Sequence, residues 1–73
     1  MTDQTIPTGA TVTVDTADSY ALVLTDGDFR RRTVAATGVV RNSFGTPGSS
    51  VLVTYEVDID GGTYIVRAEH VTA

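Results

Sequence analysis

From Gly9 onward the chain alternates apolar and polar residues with a period of two, the spacing of a strand that buries one face. In TVTVD, Thr11 to Asp15, Val12 and Val14 fall on one side while Thr11, Thr13 and Asp15 fall on the other. TADS then turns the chain. YALVLTD is denser, with Leu22 and Leu24 on one side and Ala21 and Val23 on the other. That pattern suits a strand covered on both faces, or one lying along a loop. TDGD, Thr25 to Asp28, is a turn signal. TVAATGVVRN, Thr33 to Asn42, predicts a third strand with Val34, Ala36, Gly38 and Val40 on one face and Ala35, Thr37, Val39 and Arg41 on the other. A glycine inside a strand weakens it unless it permits a bulge, a sharp coil or the close approach of another backbone, and Gly38 marks such a place.

SFGTPGSS reads as a loop on composition. Beyond it, Val51, Val53, Tyr55, Val57 and Ile59 alternate without a fault with Leu52, Thr54, Glu56, Asp58 and Asp60, the clearest strand of the chain. DGG turns it back, Asp-Gly being a favoured type I′ pair, and TYIVRA returns antiparallel. EH breaks the alternation before VTA. No stretch carries apolar residues at spacings of three and four over eleven residues, so no helix longer than one turn is expected. Residues 1–8, MTDQTIPT, lack periodicity and contain Pro7, which predicts a flexible N-terminal arm ahead of one all-β domain over residues 9–73. Five or six short antiparallel strands with glycine-rich turns close most economically as a partly open small barrel, since a flat sheet would expose one face and two edges.

The succession of a glycine-led GxxVxV strand at Gly9 to Val14, a long excursion, TGVV, a loop, VLVTYEV, a tight turn and YIVRAEHV is similar to SH3-like barrels, including the KOW, Tudor and photosystem-accessory types. The resemblance spans Gly9 to Val71. It implies that Gly9, Val12 and Val14 open the barrel, that residues 16–33 form the long loop, and that Ala68 to His70 make a single 3-10 turn before the last strand. It implies no ligand. Barrels of this kind that take proline-rich peptides carry neighbouring aromatics in the long loop and a Trp at the third strand, whereas this chain has no Trp and only Tyr20 and Phe29 in that loop. Methyl-lysine readers need an aromatic cage, which five aromatics spread along the chain do not announce. The active-site motif of a tetrameric bacterial reductase with this barrel has no counterpart here.

Size sharpens the problem of stability, because a domain of 73 residues hides only roughly 60% of the surface its unfolded chain exposes. There is no cysteine and a single histidine, His70, so neither disulfides nor a structural metal is expected to supplement the core. A closed barrel or self-association remains. The first fifteen residues have neither a basic start nor an apolar stretch, and the longest apolar run, Tyr20 to Leu24, is far below the roughly 20 residues of a spanning helix. The expectation is a cytoplasmic protein or one incorporated in a virion, with no membrane contact.

The net charge of −4 is unevenly spread. Asp3, Asp15, Asp18, Asp26 and Asp28 make the first 29 residues acidic; Arg30, Arg31, Arg32 and Arg41 follow; Glu56, Asp58, Asp60 and Glu69 outweigh Arg67 near the end. Every basic residue is Arg, which suggests coding bias in a GC-rich genome such as that of an actinobacterium or its phages. Adjacent arginines suit phosphate contacts and bidentate pairing with carboxylates. In an extended segment, however, Arg30 and Arg32 face opposite to Arg31, so the run reads most simply as charge compensation or a solvated edge strand. A pI near 4.5 is also a poor background for nonspecific nucleic-acid affinity.

DIDGG begins like a calcium loop but lacks the later ligands, so it reads as a hairpin turn. Glu69 and His70 sit at diverging neighbouring positions with no nucleophile indicated. Tyr55 belongs to the core face, while Phe29 and Phe44 fall in predicted loops, where burying an aromatic is harder; they either form an interaction surface or fold back to plug the ends of the barrel. These readings converge on a non-enzymatic protein-interaction module without cofactor or metal: a phage or mobile-element accessory protein, or a subunit of a larger assembly. Its partner contact would use Phe29, Arg30, Arg31, Arg32 and Phe44. The alternative is a nucleic-acid-associated barrel using Arg30, Arg31, Arg32 and Arg41.

Overall fold

In the computed structural model, which describes residues 6–45 and 53–73, the chain is all-β. Seven strands follow in order: β1 (Thr11–Asp15), β2 (Ala21–Thr25), β3 (Asp28–Arg32), β4 (Ala35–Phe44), β5 (Thr54–Ile59), β6 (Gly62–Arg67) and β7 (Val71–Thr72). A single 3-10 turn, Ala68–His70, separates β6 from β7. The strands make one antiparallel sheet in the order β3-β2-β6-β5-β4-β1-β7.

Alternation places the core. Val12 and Val14 of β1, Val40 of β4, Tyr55, Val57 and Ile59 of β5, and Val66 of β6 all point to one interior, joined by Ala21 and Val34. Five of these, Val12, Val14, Val40, Val57 and Val66, are essentially inaccessible to water. Burying each contributes on the order of 1.5–3 kcal/mol relative to exposure. The Tyr55 hydroxyl satisfies its buried end by accepting the Ile6 N–H at 2.9 Å. Ile6 itself packs against the core, and the Gly9 N–H donates to the Val40 carbonyl at 2.7 Å. Residues 1–5 of the expected arm lie outside the described residues.

Gly38 lies where β4 crosses β5 at close range. A Cβ there would stand 2.5 Å from the Asp58 carbonyl oxygen and 2.7 Å from side-chain carbons of Val57 and Ile59. The turns are set by local chemistry. Asp26-Gly27 and Asp60-Gly61 both take positive φ at both positions, closing two-residue hairpins between β2 and β3 and between β5 and β6.

Four expectations need correction. There are seven strands instead of five or six. The expected long loop over residues 16–33 contains the β2–β3 hairpin, because the apolar alternation of YALVL and the Asp-Gly turn suffice to pair it with the arginine run. The third strand runs from Ala35 to Phe44 instead of Thr33 to Asn42, so Ser43 and Phe44 pair with Tyr55 and Thr54 and are not in a loop. Phe29 and Phe44 are thus strand residues and not loop tips. Val51 and Leu52, read as the start of the strand after the loop, lie outside the described residues; β5 begins at Thr54.

Candidate interaction surface

The β2–β3 hairpin is anchored at its base by one buried hydroxyl. Thr16 is 1% exposed. Its Oγ1 accepts the Val34 N–H at 2.9 Å and donates to the Val34 carbonyl at 3.4 Å, while its own N–H donates to that carbonyl at 2.9 Å. The Thr33 hydroxyl donates to the Ser19 carbonyl at 3.3 Å, tying the same two segments together. Along its other side the hairpin meets the rest of the sheet through Leu22 opposite Ile65 and Val23 opposite Tyr64.

Register then decides which side chains share a face. In an antiparallel pair, directly opposed residues point to the same side of the sheet. Leu24 opposes Phe29, Leu22 opposes both Arg31 and Ile65, and Thr54 opposes both Arg67 and Phe44. All of them point away from the valine core. Tyr20 joins them two residues before Leu22, with the Arg31 guanidinium carbon 4.8 Å from its ring centroid. The four large apolar side chains most exposed among the described residues, Phe29 at 55%, Phe44 at 45%, and Tyr20 and Leu24 at 41%, therefore lie on a single outer face.

A shallow depression of about 190 Å³ sits in that face, lined by Tyr20, Leu22, Thr54, Ile65 and Arg67. Its polar groups are one phenol, one hydroxyl and one guanidinium. Carboxylates stand on the same outer face: Glu56 directly opposes the lining residue Ile65, and Asp58 pairs with Arg41 at 3.1 Å.

Phe44 reaches this face through an irregularity. Val40 opposes Val57 and Asn42 opposes Glu56, which leaves Arg41 as an extra residue in β4. The bulge reverses the alternation. Without it, Phe44 would follow Val34, Ala36, Gly38 and Val40 inward; with it, Ser43 faces the Tyr55 side and Phe44 the outer side.

Of the expected site residues, Phe29, Arg31 and Phe44 share the outer face, whereas Arg30 and Arg32 oppose Val23 and Ala21 and belong to the other side of β3. All three arginines are exposed on an edge strand. Arg41 is remote from them, paired with Asp58 beside the bulge. Sequence reading did not select Tyr20, Leu22, Leu24, Ile65 and Arg67. A signal for part of the set was present: YALVL is apolar on both sides, and a chain this short has only one interior to bury them in.

Among the described residues, no three His, Cys, Asp or Glu side chains stand close enough to hold a metal ion, and no helix is long and apolar enough to cross a membrane. Comparison with protein-family models, with curated proteins and with solved structures yields no significant match to this chain.

Proposed function

We propose that the chain is an SH3-like barrel that works as a non-enzymatic protein-interaction module, docking part of another protein chain against the outer face of β2, β6, β5 and β4. The barrel assignment draws support from β1 pairing on both sides, with β4 and with β7, and from the 3-10 turn between β6 and β7. In this reading the β2–β3 hairpin, which lies between β1 and β4 in the chain, corresponds to the long loop of such barrels.

One observation carries the functional reading: the four most exposed large apolar side chains among the described residues all lie on the outer side of the sheet, Leu24 opposite Phe29, Tyr20 against Arg31, and Phe44 opposite Thr54. Large apolar side chains left on a surface favour association, and aromatic and arginine side chains dominate the energetics of association sites. The depression is lined by Tyr20, Leu22, Thr54, Ile65 and Arg67, an aromatic, aliphatic and guanidinium set suited to contact with another chain. Nucleic-acid binding has less support, because Arg30 and Arg32 point away from Arg31 and Arg41 is engaged by Asp58.

The test compares the chain with a Leu24→Ser/Phe29→Ser/Phe44→Ser variant and with a Thr13→Ser control on β1. Each is used to capture partners from host extract, and any retained protein is purified and titrated back. The expected outcome is a defined complex that the control keeps and the triple variant loses. A complex held equally by the triple variant overturns the reading. So does salt-sensitive binding of DNA or RNA that is abolished by replacing Arg30, Arg31, Arg32 and Arg41 with Ala.

A further inference from the structure

The edge of the sheet points to the form the partner takes. β3 ends the strand order and pairs only with β2 among the described residues. In a hairpin closed by a two-residue turn, the residues flanking the turn exchange both backbone hydrogen bonds, and the bonded pairs then recur at every second position. Thr25 with Asp28, Val23 with Arg30 and Ala21 with Arg32 are therefore the bonded pairs. The N–H and C=O groups of Phe29 and Arg31 point outward, along the open edge.

We propose that this edge accepts an extended acidic segment of another protein, which adds to β3 as a further antiparallel strand. The inference rests on the interaction-module reading and specifies its partner. Backbone bonds would form with Phe29 and Arg31, while the side chains opposite Arg30 and Arg32 meet two guanidiniums on one side of the sheet. Those opposite Phe29 and Arg31 lie on the outer face, where Phe29, Leu24 and the Arg31–Tyr20 pair offer apolar contact. Read from its N-terminus, the matching segment has an acidic residue, an apolar one, an acidic one and an apolar one, opposite Arg32, Arg31, Arg30 and Phe29 in turn. Charge complementarity to the three arginines selects an acidic segment as the occupant. In a two-fold pairing of two β3 edges, like charges oppose one another when the pairing is centred on Arg31, but Arg30 is set against Asp28 when it is centred on Phe29, so a second copy is separated from an acidic partner by sedimentation.

The probe is the synthetic peptide GSEVEVSG, capped at both ends, titrated into the intact chain while backbone amide resonances are followed by NMR. Binding is expected to shift and protect the Phe29 and Arg31 amides, to weaken with added salt, and to fall about tenfold in an Arg30→Gln/Arg32→Gln variant. Methylating the two valine nitrogens of the peptide removes the donors that face Phe29 and Arg31, and is expected to abolish binding; methylating the two glutamate nitrogens is expected to leave it intact.

Equal binding by the valine-methylated peptide, with shifts confined to Leu22 and Ile65, overturns strand addition while leaving the outer-face module standing. Failure of the peptide to bind at millimolar concentration also overturns strand addition, and leaves the arginines as a guard against edge pairing. A chain that sediments as a dimer through β3 overturns it in favour of self-association.

Discussion

Thr16 and Gly38 concentrate the consequences of single side chains in this fold. The Thr16 hydroxyl is the partner of a buried Val34 N–H, so Thr16→Val, which keeps the shape and removes the oxygen, strands that donor. The expected loss is about 1–3 kcal/mol, read as a lower urea midpoint with an unchanged slope. Gly38→Ala forces a methyl group against the Asp58 carbonyl and the Val57 and Ile59 side chains, where backbone cannot yield cheaply. A cost of about 1–3 kcal/mol is expected in the same measurement. The exposed Arg41–Asp58 pair is the contrasting case. It is solvent-screened, and Arg41→Ala should cost less than about 1 kcal/mol. Gly38 was legible from sequence as a place of close approach because a glycine within a β-patterned run is locally anomalous. Thr16 was not, because the donor it serves lies 18 residues away.

The β2–β3 hairpin, like β7, is joined to the rest of the sheet at few positions. It meets the rest of the sheet through two paired positions on β6 and the Thr16 anchor, and every residue of β3 is exposed. Native-state hydrogen exchange should therefore alternate along β3, with Asp28, Arg30 and Arg32 protected by β2 and Phe29 and Arg31 exchanging quickly. Uniform protection of β3 would mean that its edge is covered. In Thr16→Val, protection should fall in β2 and β3 before it falls in β5 and β6. Both two-residue turns were legible, since Asp-Gly carries the conformational demand of the turn within itself. That the arginine run would be a strand was legible only in part. Its sequence has no apolar alternation of its own, and it is extended because β2 lies beside it.

Across the molecule, a small core coexists with exposed large apolar side chains, and charge is what opposes their indiscriminate association. The net charge of −4 favours solubility, and the open edge at β3 carries three consecutive arginines, a device that discourages edge-to-edge pairing. Replacing Arg30, Arg31 and Arg32 with Thr is expected to raise strand propensity and remove that repulsion together. Concentration-dependent association, measured by sedimentation or light scattering, should follow. The outer-face variant Leu24→Ser/Phe29→Ser/Phe44→Ser should behave in the opposite sense, remaining folded because these residues lie outside the buried core and are 41–55% exposed, with each change costing about 1 kcal/mol.

Short stretches of this chain encode what acts between neighbouring residues. Period-two alternation set Val12, Val14, Tyr55, Val57 and Ile59 inward, and Asp-Gly pairs set where hairpins close, since both signals act between neighbouring residues. The outer face is decided by tertiary structure alone. It depends on which strand lies beside which, on β3 falling at the end of the order, and on the extra residue at Arg41 that turns Phe44 outward. Strand order and register are cooperative results of packing the common core, and one inserted residue reverses every side chain beyond it. A local reading could therefore assign Phe29 and Phe44 an exposed role, but not bring them to the same face as Tyr20 and Leu24.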